Sequence, residues 1–129
     1  MSLIRHTIKG APQAPAPYSH ATEADGLVFV TGQMPNNPAD PGAPLPEGIE
    51  AQTRQVLKNL QLVLGEVGLG LEHAAMARIY LSDFRRDYPG LNSVWLEFFS
   101  GALPARTTVG VTALAYDALV EIDLIASRR

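Results

Sequence analysis

The chain has 129 residues, 47% of them hydrophobic and 18% charged, with a formal net charge of -3. That length suits one domain over residues 1–129, burying roughly two thirds of its unfolded surface. The acidic balance, with adjacent basic residues only at Arg85-Arg86 and Arg128-Arg129, leaves little attraction for nucleic acid, and the absence of cysteine excludes disulfides, thiolate nucleophiles and sulfur-ligated metals.

The N-terminal stretch "MSLIRHTIKGAPQAPAP" lacks the apolar core of a signal peptide. No segment reaches the ~20 apolar residues of a membrane helix, so a soluble, cytoplasmic protein without a membrane partner is expected. A short strand at Leu3 to Ile8 opens the chain. Eight of the ten prolines fall within the first 46 residues, which makes "APQAPAPY" and "MPNNPADPGAPLPEG" loops. Between them, "YSHATEADGLVFVTGQ" reads as a hairpin: a strand from about Ser19 to Ala24, a type I′ turn at Asp25-Gly26, and a strand from Leu27 to Thr31.

From Glu50 the apolar period becomes helical. Val56, Leu57, Leu60, Val63, Leu64 and Val67 mark one face of a helix that ends at Gly68. A strand at Met76 to Leu81 follows, then a second helix carrying Leu91, Val94, Trp95 and Phe98 on its buried stripe, with Pro89 suited to its first turn. Two strands, "ARTTVGVTAL" and "LVEIDLIA", come last, separated by a connection around Ala115 to Asp117. The order β-β-β-α-β-α-β-β, with one apolar stripe per helix, predicts an α+β fold: one sheet with both helices on a single face.

Alternation then sorts the last two strands. Val120, Ile122, Leu124 and Ala126 belong under the helices, and Thr107, Val109, Val111 and Ala113 are expected with them. That places Arg106 and Thr108 with Glu121 on the helix-free face. The face mixes charge with apolar Leu119 and Ile125, a pattern expected of an oligomer interface with clefts at its seams.

His6, His20 and His73 have no metal-ligand spacing and read as surface or turn residues. Nucleophile-elbow, P-loop and dinucleotide motifs are absent, which removes the usual hydrolase, nucleotide and dinucleotide signals. What remains is an arginine whose planar fork suits a carboxylate, Arg106, and a carboxylate that burial would push toward neutral titration, Glu121. The same two residues also suit a salt bridge across a strand face.

"APAPYSHA", "FVTGQMPNNP", "RIYLSDF", "NSVWLEFF", "LPARTTVGV" and "LVEIDLIA" occur in the order seen in the RidA/YjgF family, which the chain resembles over nearly its full length. The resemblance implies a chorismate-mutase-like fold with a six-stranded mixed sheet and two helices on one face. It also implies a homotrimer with pockets at subunit seams, and cofactor-independent hydrolysis of enamines and imines such as 2-aminoacrylate and 2-iminopropanoate to 2-oxo acids and ammonia. Carried over by motif, Arg106 is the carboxylate anchor and Glu121 the acid/base or water-orienting group. Tyr18, Thr31 with Gly32, and Asn92 line the pocket, and Thr107 and Thr108 add contacts. Ala16, His20, Thr31, Thr108 and Ala115 depart from the common motif and point away from the archetypal subgroup. Two other functions fit the same residues: a deaminase of an aminomuconate-like intermediate, and a non-enzymatic trimer that binds small carboxylates.

Overall fold

Residues 2–129 are described by a computed structural model. Along the chain run β1 (Ile4–His6), β2 (Ala21–Ala24), β3 (Leu27–Gln33), α1 (Ile49–Glu66), β4 (Ala74–Leu81), α2 (Phe84–Phe98), β5 (Ala105–Gly110) and β6 (Val120–Ser127). The strands form one sheet in the order β1-β2-β3-β6-β4-β5. All its pairs are antiparallel except β4 with β5, which α2 joins as a crossover. The six-stranded mixed sheet with both helices on one face is therefore as expected.

Local chemistry sets these boundaries. Asp25 and Gly26 take φ of 54° and 80°, the two positive values that a type I′ turn needs to return β2 onto β3. At the exit of α1, Leu69 N–H donates to Leu64 O and Gly68 N–H to Gly65 O, while Gly68 takes φ of 79°. This is a Schellman stop, and it fits a glycine at that position. The second helix starts earlier than its apolar stripe suggested. Asp83 caps it by accepting from Arg86 N–H, and Pro89 lies inside the helix rather than in its first turn.

Val28, Val30, Ala77, Ile79, Leu81, Ile122 and Leu124 on the sheet pack against Val56, Leu57, Leu60, Val63 and Leu64 of α1 and Leu91, Val94 and Trp95 of α2. Each fully buried aliphatic side chain stabilises the fold by about 1.5–3 kcal/mol. Polar residues inside this layer tie loops to it. Asn59 donates to Met34 O and Asn36 O, at 2.9 and 2.8 Å, and Gln52 links Pro46 O to the N–H of Leu119.

Of the histidines read as surface or turn residues, His20 is not at the surface, being only 6% exposed. Its Nδ1 accepts from Ile8 N–H at 2.7 Å, which leaves Nε2–H to donate to Pro12 O at 2.8 Å. The ring thus fixes the proline-rich segment that leads into Tyr18.

Candidate active site

Strand β5 carries the main correction. Its register aligns Arg106 with Ala77 and Thr108 with Ile79, both core residues, while Thr107 aligns with Arg78 and Val109 with Tyr80. Arg106, Thr108 and Gly110 therefore face the helices, and a Cβ on Gly110 would meet Phe84 of α2. Thr107 and Val109 face the open side with Glu121, the reverse of the alternation argument. The reason is position: β5 is an edge strand only partly covered by α2, so its apolar Val109 stays 40% exposed while Arg106 and Thr108 are the half-buried residues, and hydrophobicity does not mark its covered face. The strand also stops at Gly110, leaving Val111 and Ala113 outside it.

Two separate groups result. In the first, one Arg106 N–H donates to Asn92 Oδ1 at 2.7 Å, and the guanidinium carbon lies over the rings of Trp95 and Tyr88, 5.2 and 5.7 Å from their centroids. Tyr88, Asn92 and Trp95 fall at i, i+4 and i+7 on α2, so a single helical stripe presents all three. Among the described residues, Arg106 is the one lysine or arginine that is both partly buried and without an acidic partner. Thr108, two residues along the same face, has a buried hydroxyl with no hydrogen-bond partner.

The second group lies across the helix-free face. At β3, Val30 pairs with Leu124 but Gln33 pairs with Ile122, so Thr31 and Gly32 together oppose Asp123 in a bulge. The bulge brings Gly32 against the Glu121 side chain, whose Oε2 fills the space of the missing Cβ. Thr31 N–H donates to His20 O, holding the Tyr18 segment alongside. Burial and then the charge of Asp123 raise the Glu121 carboxyl above its ordinary value. Burial, Glu121 and Tyr116, in that order, raise the Tyr18 phenol. Tyr18, Thr31 and Gly32 also line a cleft of about 430 Å³ with Phe29, Arg78 and Asp123.

Arg106, Asn92 and Thr108 are thus brought together, as are Tyr18, Thr31, Gly32 and Glu121, but one chain keeps the groups on opposite faces of its sheet. Thr107 joins neither: it is exposed, in the row of Arg78 and Asp123. Sequence reasoning missed Tyr88, Trp95 and Tyr116 as parts of these groups. The i, i+4, i+7 spacing about Asn92 was the available signal for the first two. Tyr116 gave none, because its place beside Tyr18 depends on a turn in which it and Asp117 take φ of 59° and 54°. Among the described residues no cluster of three His, Asp or Glu side chains is placed to hold a metal ion.

Comparison with known proteins covers almost the whole chain. The family described as Endoribonuclease L-PSP matches residues 8–128. A RutC family protein of Pyrococcus horikoshii is 37% identical over 118 residues, 92% of each chain. The mouse protein named 2-iminobutanoate/2-iminopropanoate deaminase is 34% identical over 127 residues, 97% of this chain and 93% of its own. In three dimensions the YjgF gene product of E. coli superimposes with a TM-score of 0.88 at 29% identity, covering 97% of this chain and 98% of its own.

Proposed function

The chain belongs to the RidA/YjgF family, whose profile is described as Endoribonuclease L-PSP, and on that premise we propose that it hydrolyses 2-imino acids to 2-oxo acids and ammonia in the cytoplasm, without a cofactor. One observation carries this reading: Arg106 is a partly buried cation with no internal anion and with most of its N–H donors unused. A substrate carboxylate would complete it through two charge-assisted hydrogen bonds. The mouse deaminase supplies the reaction class by likeness.

The two groups must then meet between copies. Strand β5 is a free edge, and Phe29 and Val109, each 40% exposed, lie on the helix-free face. A second copy seated there would cover this apolar surface and bring its own Arg106 toward Glu121. The homotrimer expected of the family would provide three such seams.

In that seam an enamine first tautomerises to the imine. Water adds to the carbon of the protonated imine while Glu121, as carboxylate, accepts a water proton, giving a neutral carbinolamine. Glu121 returns that proton to nitrogen, and as the C–N bond breaks and ammonia leaves, its carboxylate takes the hydroxyl proton so that the hydroxyl becomes the carbonyl of the 2-oxo acid. A carboxyl raised by burial suits both steps, since it must take up a proton and give it back. Tyr18 borders this carboxylate and Thr108 offers a free hydroxyl on the Arg106 side.

Ribonuclease chemistry has weaker support. In each adjacent basic pair one arginine is already engaged, Arg86 by Asp87 and Arg128 by Glu23, which leaves no basic track for a phosphate backbone. The deciding experiment forms imino acids in situ with an amino-acid oxidase and traps them with semicarbazide. The protein is expected to lower trapping and Arg106→Ala to abolish that effect. Unchanged trapping at micromolar protein would overturn the reading.

A further inference from the structure

The guanidinium of Arg106 is stabilised without an anion, and the means of stabilisation leaves its reactive edge open. A carboxylate partner would bind in the guanidinium plane, where the N–H donors point, and would compete with any incoming carboxylate. An aromatic ring attracts the cation through its face and occupies no donor. Tyr88 and Trp95 are placed to act in the second way, 5.7 and 5.2 Å from the guanidinium carbon. Asn92 takes a single N–H. Both acids of the same helix are engaged elsewhere, Asp87 by Arg86 through two bonds of 2.9 Å and Glu97 by Arg54 at 2.9 and 2.6 Å.

Each ring is itself backed by another. Tyr88 stacks on Phe84 with centroids 4.7 Å apart, and Trp95 stacks on Phe99 at 4.2 Å. The cation therefore rests on two aromatic pairs, all four rings coming from α2 and the residue that follows it.

We propose that Tyr88 and Trp95 are positioning residues for Arg106: their faces hold the guanidinium charged and fixed while its in-plane edge stays free for a substrate carboxylate. This rests on the reading of Arg106 as the carboxylate anchor. Its consequence is that affinity for the carboxylate, rather than the chemical step, depends on the rings. Neither ring needs to touch the substrate.

Trp95 is the chain's single tryptophan, so its fluorescence reports on Arg106 directly. The experiment titrates pyruvate into the assembled protein and follows that emission, comparing wild type, Arg106→Ala, Tyr88→Leu and Tyr88→Phe. Tyr88 is 36% exposed, and thermal melting checks that each variant stays folded. Wild type and Tyr88→Phe are expected to bind alike, Tyr88→Leu about three- to thirtyfold more weakly, and Arg106→Ala not at all. In imine hydrolysis Tyr88→Leu is expected to raise KM by a similar factor and leave kcat nearly unchanged. Tyr88→Leu binding pyruvate as wild type does would overturn the positioning role alone. Undiminished binding by Arg106→Ala, or none by wild type, would overturn the anchor and the positioning role with it.

Discussion

The carboxylate of Glu121 lies where a β-carbon on Gly32 would stand, so that side chain can cross β3 only because residue 32 has none. Gly32→Ala is expected to swing Glu121 out of the bulge while leaving the core intact. Imine turnover should fall toward the loss of about 100-fold associated with removing an acid/base group, with pyruvate binding at Arg106 retained. Kinetics and a binding titration on one sample check both halves.

Burial and Asp123 raise the Glu121 carboxyl, and this has a stability cost of definite sign. Between the ordinary carboxyl value and the raised one the folded chain holds a proton that the unfolded chain has lost, so stability falls as pH rises through that window. Glu121→Gln is therefore expected to melt higher than wild type at pH 7 to 8 and to match it near pH 4. The same variant should lose turnover, and with it the limb of the pH–rate profile that Glu121 supplies. Thermal melts across pH and a kinetic profile provide the measurements.

If each site takes Arg106 from one copy and Glu121 from its neighbour, two inactive variants complement each other. Arg106→Ala and Glu121→Gln, unfolded together and refolded at equal ratio, are expected to recover about a quarter of wild-type activity, the statistical share of seams with both native residues. Each variant alone should stay inactive. No recovery in assemblies shown to be mixed would refute the shared site.

Glu23 links three parts of the chain, accepting from Arg128 at 2.8 and 3.0 Å and bonding the His6 ring at 2.8 Å. The Arg128 hydrogen bonds first, then His6, lower its carboxyl from 4.5 to about 2. Its stabilisation is complete above the unfolded value and is lost as pH falls through the folded one. Glu23→Gln should cost on the order of 1 kcal/mol at pH 7 and nothing below pH 2, which chemical denaturation at the two pH values tests.

How far the sequence reached depended on burial. Central β6, covered by α1, alternates cleanly from Val120 to Ser127, and its faces were legible. Edge strand β5 has two thinly covered faces, and there the alternation of Thr107 and Val109 pointed the wrong way. The hairpin was written in Asp25-Gly26, but the start of α2 was not written in its apolar stripe, because Phe84 to Tyr88 form a turn held by the Asp83 cap and lie ahead of that stripe. Motif resemblance, rather than alternation, singled out Arg106 and Glu121 as the groups of interest. Their placement on opposite faces follows from strand register, which no local pattern carries.

The position of β6 between β3 and β4 has a consequence for synthesis. It is the last of the six strands in chain order, yet it joins two parts that otherwise share no strand pairing, β1-β2-β3 on one side and β4-β5 on the other. Until residues 120–127 emerge from the ribosome, the apolar faces of Val28 and Val30 and of Ala77, Ile79 and Leu81 have no strand between them. Closure of the sheet therefore waits for the last of its six strands, and the two parts stay unjoined until that strand is available.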